Sequence, residues 1–186
     1  MKTLPTPFAD VILLELQAFG DARGFFMETF RRDRYLEHGV GVGFEFVQDN
    51  YASSKRGSLR GLHYAVRRPQ GKLVHVTRGE IFDVVVDLRR ASPTFGKWFG
   101  ASLSAANHRQ LWIPPGFGHG YLAMSDEVDV AYKVTETYDP SDERSLRWCD
   151  PTLAIAWPLD GEPELSERDR VAPLLDVAEL PAPSVP

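Results

Sequence analysis

Apolar and polar positions along the chain alternate in short stretches, and the clearest of these runs from Ile81 to Arg89. There Phe82, Val84, Val86 and Leu88 alternate with Ile81, Asp83, Val85 and Asp87, the period of two that sends successive side chains to opposite faces of a strand. One face is wholly apolar, while the other carries two carboxylates. Further strands are predicted at Val11–Gln17, Gly24–Phe30, Phe46–Tyr51, Leu59–Tyr64, Lys72–Val76, Trp98–Leu103, Gln110–Ile113, His119–Met124 and Val128–Thr135. Fourteen Pro and fifteen Gly punctuate these segments, so the chain reads as an all-β sandwich or barrel. Helical signal is thin. Phe30 to Glu37 predicts one short helix, and Ser104 to His108 and Ser166 to Arg170 predict about one turn each. None reaches the roughly ten residues that a crossover between parallel strands requires.

The 186 residues, 43% of them hydrophobic, are the length of one ordinary domain, which buries about two-thirds of its unfolded surface without staples. That domain is assigned to residues 1–175. After Leu175 the sequence DVAELPAPSVP, with three Pro and few large apolar side chains, predicts a disordered tail over residues 176–186. Lys and Arg number 21 against 26 Asp and Glu, a net charge of −5 that argues against a nucleic-acid or anionic-membrane surface. The single cysteine, Cys149, has no partner for a disulfide or a Cys-x-x-Cys site, and the cytoplasm is the expected setting. The apolar run Val11–Leu14 is too short for a signal-peptide core or a membrane span.

Dinucleotide chemistry calls for G-x-G-x-x-G between a strand and a helix; Gly39, Gly41 and Gly43 have neither the spacing nor the setting. Gly71-Lys72 lacks the remainder of a phosphate loop. The stretch IPPGFGH at Ile113–His119 contains P-x-G-x-x-H and resembles the second half of the cupin signature, a jelly-roll barrel with a pocket at its mouth. The first half requires H-x-H, but His63 is followed by Tyr64 and Ala65, so a metal lacks its converging ligands. What remains is acid–base chemistry: His63, His75, His119, Lys72, Tyr132 and several carboxylates. Taken alone, each has an ordinary reading, a packed imidazole or phenol with one hydrogen bond or a solvated charge.

Eight ordered blocks carry a more specific resemblance. They are GDARGFFMETF at Gly20–Phe30, FVQDN at Phe46–Asn50, RGLHY at Arg60–Tyr64, QGKLVHVTRGEIFDVVVDLR at Gln70–Arg89, SPTFGKW at Ser92–Trp98, LWIPPGFGHGYL at Leu111–Leu122, YKVTETYDP at Tyr132–Pro140 and LSERD at Leu165–Asp169. Together they resemble the dTDP-4-dehydrorhamnose 3,5-epimerases over roughly residues 8–170. The resemblance implies a metal-free, cofactor-free cupin-like jelly roll, working as a homodimer that exchanges N-terminal strands. It implies a dTDP-linked 4-keto-6-deoxyhexose as substrate, inverted at C3 and C5. Both carbons lie α to the C4 ketone, so removing either proton gives an enolate without redox chemistry.

By the same resemblance His63 is the base, and an imidazole of ordinary pKa near 6.5 suits that work. Asp169 is implied as its partner, with Asp83 the alternative that spacing leaves open. Tyr132 is implied as the acid on the opposite face of the sugar; the two-residue period groups it with Val128, Val130 and Val134, away from Asp129, Ala131 and Lys133. Lys72 is implied at the enolate oxygen and His119 beside the sugar. Arg60 and Arg23 match phosphate-binding positions, Gln48, Asn50 and Glu28 match nucleotide- and sugar-contacting ones, and Glu143 and Arg168 complete the set. Arg23 and Glu28 are expected to reach across the dimer. Lysine is more usual than Arg168 at its position, and Gln more usual than Ala65. Relatives that invert only C3 or only C5 are the alternative activity; a metal-dependent cupin and a non-catalytic sugar-nucleotide binder are further ones.

Overall fold

A computed structural model describes residues 1–181. Strands β1 (Lys2–Leu4), β2 (Ile12–Glu15), β3 (Ala18–Asp21) and β4 (Gly24–Met27) lead to helix α1 (Arg32–Glu37). Then follow β5 (Gln48–Lys55), β6 (Leu59–Ala65), β7 (Lys72–Arg78), β8 (Glu80–Asp87) and β9 (Trp98–Ser104). The chain continues through β10 (Arg109–Ile113), β11 (Phe117–Ala123), β12 (Glu127–Val134), β13 (Glu143–Ser145) and the four-residue helix α2 (Glu167–Arg170). A six-stranded sheet in the order β1-β2-β10-β7-β12-β5 faces a five-stranded sheet in the order β13-β6-β11-β8-β9, and β3–β4 forms a separate ribbon. Every ladder is antiparallel, and the result is a cupin-like jelly roll.

The interior core joins the two sheets. Val74, Val76, Leu111, Ile113, Val128 and Val130 from one pack against Ile81, Val85, Leu103, Phe117 and Tyr121 from the other. The wholly apolar face of β8 is therefore not the barrel's interior. Val84, Val86 and Leu88 lie outside, under Leu146, Leu153, Leu175, Ala178 and Leu180, while Asp83 and Asp87 point into the structure fully buried. A C-terminal cover thus makes both faces of one strand interior, which alternation within the strand does not reveal.

That cover corrects one expectation. Up to Pro181 the tail is docked, because Ala178 and Leu180 fill the outer core and Tyr64 Oη donates to the Glu179 carbonyl at 2.8 Å. The remainder of the expected disordered tail, residues 182–186, lies outside the described residues. Three strands also went unpredicted: β1, β3 and β13 are three or four residues long, too short to display a period. The predicted helix at Phe30–Glu37 begins at Arg32, and Ser104–His108 is a turn that His108 closes with a φ of 55°.

Candidate active site

Glycine makes the first requirement of the site possible. Gly61, at φ 123°, lies so close to β11 that a Cβ there would sit 2.5 Å from Gly120 Cα and 2.7 Å from the His119 carbonyl oxygen. Only two facing glycines permit this approach, and the β6–β11 register shifts beside it. The outcome is that His63 on β6 pairs directly with His119 on β11. Each imidazole then takes its own carboxylate. His63 Nε2 lies 2.6 Å from Asp169 Oδ1, and His119 Nε2 lies 2.9 Å from Asp83 Oδ2. The alternative left open by spacing is thereby resolved: Asp83 belongs to His119, and Asp169 to His63.

Asp169 comes from α2, whose Ser166 hydroxyl accepts from the Asp169 amide at 3.1 Å. Its side chain is 2% exposed. Burial alone would raise its pKa, but hydrogen bonds from His63, Ser166 and the Gly61 amide outweigh that and hold the carboxyl below its usual range. For His119, burial drives the pKa down despite the attraction of Asp83, with Lys72 and His63 adding to the depression.

A cavity of about 310 Å³ separates the sheets at this end of the barrel. Arg60, His63, His119 and Glu143 line it from the five-stranded side, and Gln48, Asn50, Lys72 and Tyr132 from the six-stranded side. Burial lowers the Lys72 pKa, while Glu143 and Asp83 counteract it. Among the described residues no carboxylate lies within ion-pair distance of Lys72. The Tyr132 phenol is held up above its usual range, first by burial and then by Tyr121 and Glu143.

Not every predicted position converges. Arg168 stands at the rim, bonded to Glu143. Arg23 and Glu28 lie away from the cavity of their own chain. The Arg23 side chain is 89% exposed and paired with Asp21, and Glu28 pairs with Arg34 at 2.9 Å. Conversely, Gln70, Tyr121 and Tyr138 line the cavity without having been selected from sequence. Tyr121 shares the period-two row of His119, which was a usable signal. Tyr138 follows the end of β12, where no alternation exists to place it; there its amide donates to Gln48 and its hydroxyl to Glu143, at 3.0 and 3.2 Å. Among the described residues no three His, Cys, Asp or Glu side chains converge as metal ligands.

A cupin-like barrel whose cavity is lined by an imidazole paired with a carboxylate, a lysine with no carboxylate at ion-pair distance among the described residues and a half-buried phenol is equipped for proton transfer. Comparison makes the class particular: the chain belongs to the dTDP-4-dehydrorhamnose 3,5-epimerase family, whose sequence model matches residues 5–176. It is 53% identical over 170 residues to the dTDP-4-dehydrorhamnose 3,5-epimerase of Pseudomonas aeruginosa, covering 91% of this chain and 93% of that one. The dTDP-6-deoxy-D-glucose-3,5-epimerase of Legionella pneumophila, solved with dTDP-4-keto-L-rhamnose, superposes with a TM-score of 0.94 at 47% identity, covering 97% of each chain. The dTDP-4-dehydrorhamnose 3-epimerase of Streptomyces niveus is 44% identical over 176 residues, 94% of this chain and 84% of that one.

Proposed function

We propose that this protein, an isomerase, converts dTDP-4-dehydro-6-deoxy-D-glucose to dTDP-4-dehydro-L-rhamnose by inverting C3 and C5. One observation carries the reading: His63, held by Asp169, and the Tyr132 phenol line a single cavity from opposite sheets. In the proposed cycle His63 removes the proton on C5 or C3, and the C–H electrons move onto the C4 oxygen as an enolate. Asp169 stabilises the resulting imidazolium and fixes the ring. The Lys72 ammonium and His119 meet the enolate oxygen, where a preorganised cation in a partly dry site stabilises the developing charge. Tyr132 protonates the carbon from the other face, which sets the inverted configuration. Solvent then returns the proton from imidazolium to phenolate, and the second carbon follows by the same steps. A positioned base of this kind contributes roughly 10²–10⁴-fold.

Arg60 is assigned to the diphosphate, and Gln48, Asn50, Glu143 and Arg168 to the nucleotide and sugar. Arg23 and Glu28 act on a partner's cavity, in a homodimer that exchanges N-terminal strands. The exposed Phe19, Phe25 and Phe26 of the β3–β4 ribbon, 58%, 62% and 71% accessible, support that assembly. Sedimentation at twice the 20.9 kDa chain mass is the expected result. Residues 1–175 are read as one epimerase domain, on which residues 176–181 dock, and the cytoplasm as its location. No helix among the described residues is long and apolar enough to cross a membrane.

The test is incubation with dTDP-4-keto-6-deoxyglucose in D₂O, followed by NMR at C3 and C5. Deuterium at both carbons with an L-configured product supports the reading, and no exchange at either carbon overturns it. The Streptomyces niveus relative, named as a 3-epimerase, motivates a second reading in which exchange occurs at one carbon alone.

A further inference from the structure

On β5 the inward-facing row is Gln48, Asn50, Ala52 and Ser54, and only the last is buried. The first three line the cavity; Ser54 follows them on the same row and bridges to Arg60 and Tyr121, which line it from the other sheet. Its hydroxyl accepts from Arg60 Nε at 3.0 Å and shares a hydrogen bond of 3.1 Å with Tyr121 Oη. A second bond runs from Arg60 Nη2 to the neighbouring Ser53 carbonyl at 2.9 Å. Both acceptors of the guanidinium are neutral. Among the described residues no carboxylate lies within ion-pair distance of Arg60, whereas Arg23, Arg67, Arg89 and Arg168 all have one.

This arrangement separates orientation from charge. Two of the five guanidinium N–H groups are fixed by the β5 backbone and hydroxyl, and the others remain for an incoming ligand. An arginine paired with a carboxylate would be oriented too, but half neutralised. We propose that Ser54 is a positioning residue that presets the Arg60 guanidinium for the diphosphate of the substrate. The inference rests on the function proposed above, which supplies the diphosphate. The cost of ordering a long side chain is met before binding, so affinity rather than turnover is what Ser54 provides.

The experiment compares dTDP binding by calorimetry, and KM and kcat with the dTDP-sugar, in the whole protein and its variants. Ser54→Ala raises the dTDP dissociation constant and KM about tenfold, the lower end for a hydrogen bond to a charged group, and leaves kcat within about twofold. Ser54→Thr, which retains the hydroxyl, restores both constants. In an Arg60→Ala background the same serine substitution adds nothing, because the group it orients is gone. Should the alanine variant not fold, Ser54→Cys gives the same comparison, since a thiol is a weak acceptor of nearly the same shape. Unchanged dTDP affinity in Ser54→Ala or Ser54→Cys, an equal loss in the Arg60→Ala background, or no dTDP affinity in the unaltered protein overturns the proposal. Turnover by the unaltered protein is scored separately. Its absence alongside intact dTDP binding counts against the epimerase reading and not against the clamp.

Discussion

Replacing Asp169 with Asn keeps the shape of the side chain and removes its charge, so it isolates what the carboxylate does for His63. The two groups are 2.6 Å apart and Asp169 is 2% exposed, so solvent screens their interaction little. At an effective dielectric near 20, unit charges centred about 4 Å apart attract by about 4 kcal/mol. A hydrogen bond to a charged group contributes a net of about 1.5–3 kcal/mol. The imidazolium exists only after proton abstraction, so this stabilisation falls on the chemical step. With about 1.4 kcal/mol per factor of ten, these bounds of about 1.5 and 4 kcal/mol lower kcat for Asp169→Asn by about 10–10³-fold. An amide donor facing Nε2 would also favour the wrong tautomer and push the loss toward the upper figure. The assay is steady-state turnover of the dTDP-4-keto sugar, with dTDP affinity by calorimetry and thermal unfolding as controls. A folded variant that binds dTDP normally and turns over within fivefold of the unaltered protein would refute the reasoning.

Lys72→Met lowers kcat by about 10²–10³-fold, as expected for loss of one preorganised donor at a developing oxyanion, with dTDP affinity unchanged; equal losses in affinity and turnover would assign Lys72 to ground-state binding instead. Gly61→Ala forces a Cβ to within 2.5 Å of Gly120 Cα at a φ of 123°, and about 1–3 kcal/mol of overpacking lowers the urea midpoint; an unchanged midpoint would mean that the strands can separate freely there. Arg89, Ser92 and Thr94 overcome the burial of Asp87 and bring its carboxyl from 3.8 to about 2. Because the folded value lies below the unfolded one, the resulting stability is complete above about pH 4 and fades as pH falls through about 2. Asp87→Asn therefore costs about 2 kcal/mol at neutral pH and flattens the acid limb of an unfolding profile; a variant that keeps the same acid limb shows that another group is responsible.

The barrel was legible because its long strands obey a period of two, and the row Val128–Val130–Tyr132–Val134 turned inward as alternation required. What alternation cannot express is a strand buried on both faces. On β8 the uniformly apolar side lies beneath the C-terminal cover, and the carboxylate side reaches the site through Asp83. Compositional reasoning failed on the tail for a related reason, since Ala178 and Leu180 gain their burial from distant Leu146 and Leu153. The imidazole–carboxylate pair joins residues 106 apart through a four-residue helix, a link that no local spacing encodes. Resemblance supplied that pairing, and side-chain geometry separated Asp169 from Asp83. Ser54 and Tyr138 escaped both routes, because each acts by completing another residue's hydrogen bonds.

The central claim is that proton removal and proton delivery occur on opposite faces of the sugar, from different sheets. Tyr132→Phe tests it most directly, by NMR in D₂O on the dTDP-4-keto sugar. The account predicts that His63 still washes deuterium into C3 or C5 while configuration is retained and no L-product accumulates. Inverted product forming at a rate near that of the unaltered protein would contradict it.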